Sequence, residues 1–170
     1  MQERAKKIKL LILDVDGVLT DGRIIYDNFG DELKFFNVKD GLGVFLLRKV
    51  GIKTVIITAR KTKAVIKRAK DMQVAAVYSN HYKLGIYQKV IKKFGVKDEE
   101  VCFMGDDLLD LPLIKRAGLA ACPPNAVEEV RSSSHYVTQK HGGKGAVREV
   151  IEIILKSQGL WEKAISKYMG

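Results

Sequence analysis

Four apolar residues that run into two carboxylates one residue apart, LLILDVDG at Leu10–Gly17, constrain this chain more than any other stretch. A continuous rather than alternating apolar run reads as a strand buried on both faces, the habit of parallel sheets covered by helices. Asp14 and Asp16 fall at its carboxyl end. A side-chain period of two turns both toward the same side until the Gly17 turn breaks the pleat. Two like charges so placed favour a bound cation. The plainer alternative, a strand running into an Asx turn, suits a bare DxD better than the full DxDGxxT pattern at Asp14–Thr20.

The remainder alternates strand and helix patterns. After Asp21, GRIIYDNFGDELKFFNVKDG holds two β-rich segments around a turn at Asp27–Asp31, which predicts a hairpin over about 22–38. Its Ile25, Tyr26, Phe35 and Phe36 are more apolar surface than a free two-stranded ribbon can hide, so it should lie on its own domain or on another subunit. Asp40 is expected to cap a helix running to about Val50 and ended by Gly51. Strand patterns follow at Lys53–Ile57, Ala75–Tyr78, Val101–Met104, Leu119–Ala121 and Tyr136–Thr138. Helical patterns lie between and after them at Arg60–Met72, Leu84–Phe94, Leu108–Ala117 (with Pro112 in its first turn) and Ala146–Gln158. A tail at Gly159–Gly170 reads as helical or frayed, with Trp161 and Tyr168 suggesting that it docks. The fold class is therefore α/β: a Rossmann-like doubly wound parallel sheet, one domain over 1–170, with a C-terminal helix and tail over about 145–170 and ligands at the strands' carboxyl ends.

Charge and cysteine usage narrow the partners. Lys and Arg outnumber acids 30 to 20, a formal charge of +10. The basic residues are spread along helical patterns (Lys61, Lys63, Lys67, Arg68, Lys70; Lys89, Lys92, Lys93) without interleaved aromatics or a binding motif, so a solvated surface that attracts small anions is preferred over nucleic-acid binding. Cys102 and Cys122 lie at apolar strand ends with no CxxC or nearby His, and read as buried free thiols. The apolar run Ile8–Leu13 is too short for a membrane span or a secretory signal and stops at acids, which makes the chain cytoplasmic by expectation.

DVDGVLTD at Asp14–Asp21 resembles the first motif of the haloacid dehalogenase superfamily of aspartyl phosphotransferases. That superfamily would place three further pieces in order, and all three are found: Thr58 closing KTVIITAR, Lys83 ahead of a helical pattern, and GDDLLD at Gly105–Asp110. The stretches between them leave no room for a covering domain of about 50 residues, so no cap is expected. The resemblance implies Asp14 as nucleophile and Asp16 as general acid and base whose backbone carbonyl, rather than side chain, meets the metal. It implies Asp106 as the other carboxylate on Mg²⁺, Thr58 and the amides after it at a helix N-terminus as phosphoryl ligands, and Lys83 as compensating charge. Asp107 and Asp110 would hold metal waters or Lys83, and Asp110 reads equally well as a first-turn carboxylate of its helix. GGKG at Gly142–Gly145 is read as a loop feeding a helix sooner than as a phosphate cradle.

Within the superfamily, DVDGVLTDG, FFNVKDGLG, ITAR, GDDLLDLP and GGKGAVRE look like the capless phosphatases that hydrolyse 3-deoxy-D-manno-octulosonate 8-phosphate in bacterial lipopolysaccharide synthesis. This likeness implies a homotetramer whose hairpins meet at the centre. It implies substrate contacts from Asn37, Val38, Lys39, Asp40, Gly41, Arg60, Arg68 and Lys83, with a further binding element around His141–Arg148. Phe45 stands where the family often has arginine, and Ala59 where it often has glycine. Rival readings are a phosphatase of a related nine-carbon sugar-acid phosphate and a non-catalytic oligomerisation module.

Overall fold

A computed structural model describes residues 1–169; of the expected tail, Gly170 lies outside the described residues. Its core is a six-stranded, wholly parallel sheet in the order β5 (Ala76–Ser79), β4 (Lys53–Thr58), β1 (Leu10–Leu13), β6 (Val101–Met104), β7 (Leu119–Cys122), β8 (Tyr136–Val137). The side chains of β1 alternate between two apolar layers. Leu11 and Leu13 face α1 (Gln2–Ala5), α2 (Val38–Lys49), α3 (Lys63–Asp71), α7 (Ala146–Ser157) and α8 (Trp161–Ile165), while Leu10 and Ile12 face α4 (Lys83–Phe94), α5 (Leu111–Ile114) and α6 (Glu128–Ser133). A strand with helices on both sides has no face for water, which is why its apolar run does not alternate.

The chain lays β4 and β5 on one side of β1 and then crosses back to lay β6, β7 and β8 on the other. That reversal is a topological switch point, and the crevice outside the carboxyl ends of β1 and β6 is where such sheets bind ligands.

The expected elements are present with shifted ends. Helix α2 begins at Val38, because Asn37 takes the cap by accepting a hydrogen bond from Lys39 N at 2.8 Å; Asp40 lies inside the first turn. Helix α3 begins at Lys63, three residues later than expected, because the Thr62 hydroxyl caps Val65 N. The stretch expected as one helix over Leu108–Ala117 is a single 3₁₀ turn, Leu108–Asp110, followed by the short α5, with Pro112 at its start. Helices α1 and α6 are too short to show a period in sequence.

The hairpin pairs β2 (Ile25–Tyr26) with β3 (Glu32–Leu33) in antiparallel register. It rests on the start of α3 through Lys63 to Asp31 at 3.0 Å, and Phe36 packs against the core. Tyr26, Phe29, Leu33 and Phe35 remain exposed. No covering domain is present among the described residues.

Candidate active site

Backbone pairing continues one residue beyond β1, with Asp14 N donating to Met104 O at 3.0 Å, so the first carboxylate is fixed by the sheet itself. Asp106 lies two residues beyond β6, the neighbouring strand. Carboxylate oxygens of Asp14, Asp106 and Asp110 all lie within 4.8 Å of one another. A cleft of about 220 Å³ at this point is walled by Asp14, Asp16, Thr58, Arg60, Lys83, Asp106, Asp107 and Asp110, joined by Gly22, Ala59 and Leu109.

Lys83 is the first residue of α4, where the helix dipole disfavours a cation. It is buried there because its Nζ lies 2.6 Å from Asp110 Oδ1 and 2.9 Å from Asp14 Oδ1. Burial works against the ammonium, yet the two carboxylates outweigh it and raise its pKa. The other oxygen of Asp110 accepts from Asp106 N at 2.9 Å and Asp107 N at 3.3 Å. Asp110 has features of both readings open for it: its buried carboxylate meets Lys83, and as a first-turn residue of the 3₁₀ turn it accepts from the capping residue's amide. Asp107 is exposed and caps Leu108 N at 2.7 Å.

One lysine does not neutralise this cluster. Burial, reinforced by the charge of Asp110, lifts the Asp14 carboxyl to about 7 against the pull of Lys83. Burial together with Asp14, Asp110 and Asp107 lifts Asp106 to about 8. Asp14 Oδ1 meets Lys83 in an ion pair but has no directed hydrogen bond. Oxygen-rich, electron-rich and short of one positive partner, Asp14 and Asp106 suit a hard divalent cation. The room between them depends on Gly17: a Cβ there would stand 1.9 Å from Asp106 Oδ2, and its φ of +76° is one that side chains rarely adopt.

The loop that carries the first motif is held from behind by Asn125, which sequence spacing does not single out, and by the first glycines of GGKG. Asn125 Nδ2 donates to Gly17 O at 3.1 Å while its Oδ1 accepts from Gly142 N at 2.8 Å, and Gly143 N donates to Val18 O at 3.0 Å. The glycines of GGKG thus let two loops touch before feeding α7; a Cβ on Gly142 would meet Gly17 O at 1.7 Å. Thr58 ends β4, and its hydroxyl accepts from Arg60 N at 3.2 Å. The amides after it belong to a loop, not to a helix N-terminus as expected, because Thr62 delays α3.

Asp16 faces the hairpin. Lys34 Nζ lies 2.5 Å from Asp16 Oδ1 and 2.5 Å from Glu32 Oε1, and Glu32 in turn accepts from Arg60 Nη2 at 2.8 Å. Arg60 also reaches the Tyr26 hydroxyl at 3.4 Å. Neither Glu32 nor Lys34 is a residue that motif reading selects. The signal was the alternation of Glu32 and Lys34 around Leu33, which points both polar side chains to one side of the ribbon.

The other expected substrate residues form a second cluster outside the cleft's walls. Arg68 Nη2 donates to Asn37 O at 2.8 Å, with its guanidinium over the Phe36 ring and against Gly41. Val38 and Lys39 are exposed. Asp40 is wholly buried; its Oδ1 accepts from Arg148 N in the first turn of α7 at 2.8 Å, and its Oδ2 has no hydrogen-bond partner. Arg148 pairs with Glu152 and lies over Trp161, which docks the tail. Phe45 lies beneath Arg48 on α2.

Comparison with known proteins bears on this geometry. A model of the haloacid dehalogenase-like hydrolases matches residues 77–151. The 3-deoxy-D-manno-octulosonate 8-phosphate phosphatase KdsC of Escherichia coli K12 is 40% identical over 162 residues, 95% of this chain and 86% of that one. Among solved structures, a haloacid dehalogenase superfamily (subfamily III A) hydrolase from Legionella pneumophila superposes with a TM-score of 0.96 at 44% identity, covering 99% of this chain and 93% of that one. The 3-deoxy-D-manno-octulosonate 8-phosphate phosphatase from Moraxella catarrhalis, in complex with a magnesium ion, a phosphate ion and a KDO molecule, has a TM-score of 0.96 at 41% identity, covering 99% and 97%.

Proposed function

Because the chain belongs to the 3-deoxy-D-manno-octulosonate 8-phosphate phosphatases of the haloacid dehalogenase superfamily, we propose that it hydrolyses that phosphate monoester to the free sugar acid and phosphate, in the supply of lipopolysaccharide precursors. The observation that carries the reading is the closed set at the switch point: Asp14 and Asp106 across one cleft, with Lys83 on Asp14 and Asp110.

Asp14 is the nucleophile. Its carboxylate oxygen bonds to phosphorus as the bond from phosphorus to the sugar's C8 oxygen breaks, and Asp16 gives its proton to that leaving oxygen. A water then loses a proton to Asp16 as it bonds phosphorus, and the aspartyl oxygen–phosphorus bond breaks to release phosphate. Thr58 and Lys83 hold phosphoryl oxygens, while Asp110 keeps Lys83 aimed at the cleft and Asp107 shapes its edge. Asp14, Asp106 and the backbone carbonyl of Asp16 would hold Mg²⁺, which when bound supplies the positive charge that lets an anionic carboxylate approach an anionic phosphoryl group. Arg60 lines the cleft wall and would meet the sugar acid's carboxylate. Asn37, Val38, Lys39, Gly41 and Arg68 belong beside the cleft as the floor on which substrate or a neighbouring subunit rests, with the buried Asp40 carboxylate holding that floor to α7 from beneath.

The reading extends to a single domain and a homotetramer, supported by the apolar hairpin surface of Tyr26, Phe29 and Phe35. It places the enzyme in the cytoplasm, where free buried thiols such as Cys102 and Cys122 are at home; no described helix is long and apolar enough to cross a membrane. Phosphate release from 3-deoxy-D-manno-octulosonate 8-phosphate, a nine-carbon sugar-acid phosphate and simple sugar phosphates, with and without Mg²⁺, tests it. The eight-carbon substrate should lead, only with metal, and Asp14→Asn should lower its turnover by at least about 10⁴-fold. Unchanged turnover in that variant rejects the nucleophile, and preference for the nine-carbon substrate rejects the assigned sugar.

A further inference from the structure

Lys34 touches neither Asp14 nor the phosphoryl-binding groups, yet its side chain is 0% exposed and ends between two carboxylates, Asp16 and Glu32. A lysine surrenders much rotamer freedom and hydration to sit so. Structure alone does not require it: β2 and β3 pair without it, and Asp31 already ties the hairpin to α3. Its position on Asp16 is what the burial secures. Asp16 Oδ1 is pinned by Lys34, which leaves Oδ2 as the oxygen free to face the cleft that Asp16 helps to wall. Glu32 fixes Lys34 from the other side and is itself fixed by Arg60. The chain Arg60, Glu32, Lys34, Asp16 therefore runs from one cleft wall, through the hairpin, to the acid–base carboxylate.

We infer that Lys34 is a positioning residue for the reaction: seated on the hairpin of the same chain, it orients the Asp16 carboxylate so that one oxygen faces the leaving oxygen and then the attacking water. This rests on the phosphatase reading above. A carboxylate free to rotate would still bind nothing less, but would miss both proton transfers, each worth about 10²- to 10⁴-fold.

The test compares two substrates in Lys34→Met, Lys34→Arg and Glu32→Gln. For 3-deoxy-D-manno-octulosonate 8-phosphate, whose alkoxide must take a proton to leave, Lys34→Met should lower kcat by about 100-fold and leave KM within about threefold. With p-nitrophenyl phosphate the phenolate leaves unaided, so the same variant should release one equivalent per active site in a burst and then stall, since hydrolysis of the phosphoaspartate still needs Asp16 as base. Lys34→Arg should recover most of the loss, and Glu32→Gln should show the same pattern at about tenfold. Equal loss on both substrates without a burst, a raised KM with kcat kept, or no change overturns the inference. Should Lys34→Met lose its circular-dichroism signature, Glu32→Gln, which keeps the Lys34 ammonium but removes the carboxylate that fixes it from the other side, carries the same decision. The aryl-phosphate burst is independent of the sugar, so failure of the substrate assignment and failure of this inference read out separately.

Discussion

The two carboxylates of the first motif stand two residues apart and are held by different parts of the molecule. Asp14 is closed in by the sheet edge: its amide is on Met104, and its oxygens face Lys83 from α4 and the group around Asp106 and Asp110 after β6. Asp16 leans the other way, onto a lysine carried by strands of two residues each. The first half of the site is built by backbone pairing that the fold cannot lose. The second half is built by an appendage that is marginal alone. Under the proposed mechanism the nucleophile and the cation it would share sit on the half built by the sheet, and the proton-transfer group sits on the half carried by the hairpin.

The sharpest way to break this comparison is to remove the lysine from each half. Lys83→Met leaves Asp14 and Asp110 buried without their cation, and breaking a buried pair in this way costs about 3 kcal/mol or more. Activity should fall by about 10³-fold as the phosphoryl group loses its positive partner. Lys34→Met should cost clearly less in stability, because Asp16 is partly open to water. Urea denaturation of both variants decides it; equal destabilisation would erase the distinction between the halves.

A smaller effect separates them by pH. Asp14 and Asp106 are held at about 7 and about 8 in the folded chain, above the ordinary value of 3.8 that they regain on unfolding. The folded state therefore keeps protons that the unfolded chain gives up. The stability these groups contribute is fully present below about pH 4 and is lost as pH rises through 7 and 8. With chelator, the melting temperature should fall between pH 5 and pH 8 in the wild type and less so in Asp106→Asn. Added Mg²⁺ should raise it more at pH 8, where it replaces no protons, than at pH 5. An increment independent of pH would mean that the cation does not share these two carboxylates.

The rigid half was the legible half. An apolar strand ending in DxD, and a second ending in GDD, fix positions at strand ends, and parallel pairing brings strand ends together; no side-chain detail is needed to see Asp14 and Asp106 meet. The order of Thr58 and Lys83 placed them by the same logic. What local pattern does not carry is contact between segments far apart in sequence. Lys34 reaching Asp16, Asn125 bridging Gly17 and Gly142, and Asp40 turning inward to the first turn of α7 each depend on how loops lie over the sheet. Asp40 makes the point for one residue, since a carboxylate in a motif reads alike whether it lines a cleft or, as here, lies buried against a helix end. Helix ends slipped for a related reason: Asn37 caps α2 ahead of the expected Asp40, and Thr62 caps α3 after the expected start at Arg60, each by the side chain that reaches a free amide.

The gentlest perturbation asks whether association stabilises the appended half. Phe29 is 95% exposed at the hairpin tip, yet the tip is not loose: Asp27 Oδ1 accepts from both Phe29 N and Asp31 N at 2.9 Å. A large aromatic ring presented on an ordered turn, with Tyr26 and Phe35 exposed on the same hairpin, fits a surface meant to be covered by another copy. Phe29→Ser removes nothing the isolated chain buries, so the unfolding free energy of the monomer should move by no more than about 0.5 kcal/mol. If the proposed tetramer forms through this surface, light scattering should nevertheless show it giving way to smaller species. Turnover of the sugar-acid phosphate should then decline with dissociation, and p-nitrophenyl phosphate should give the burst expected of Lys34→Met, because the loosened hairpin carries Lys34 and hence Asp16 but not Asp14. An intact tetramer in Phe29→Ser would place the contact elsewhere, and dissociation without loss of turnover would show that each hairpin holds its own Asp16 unaided.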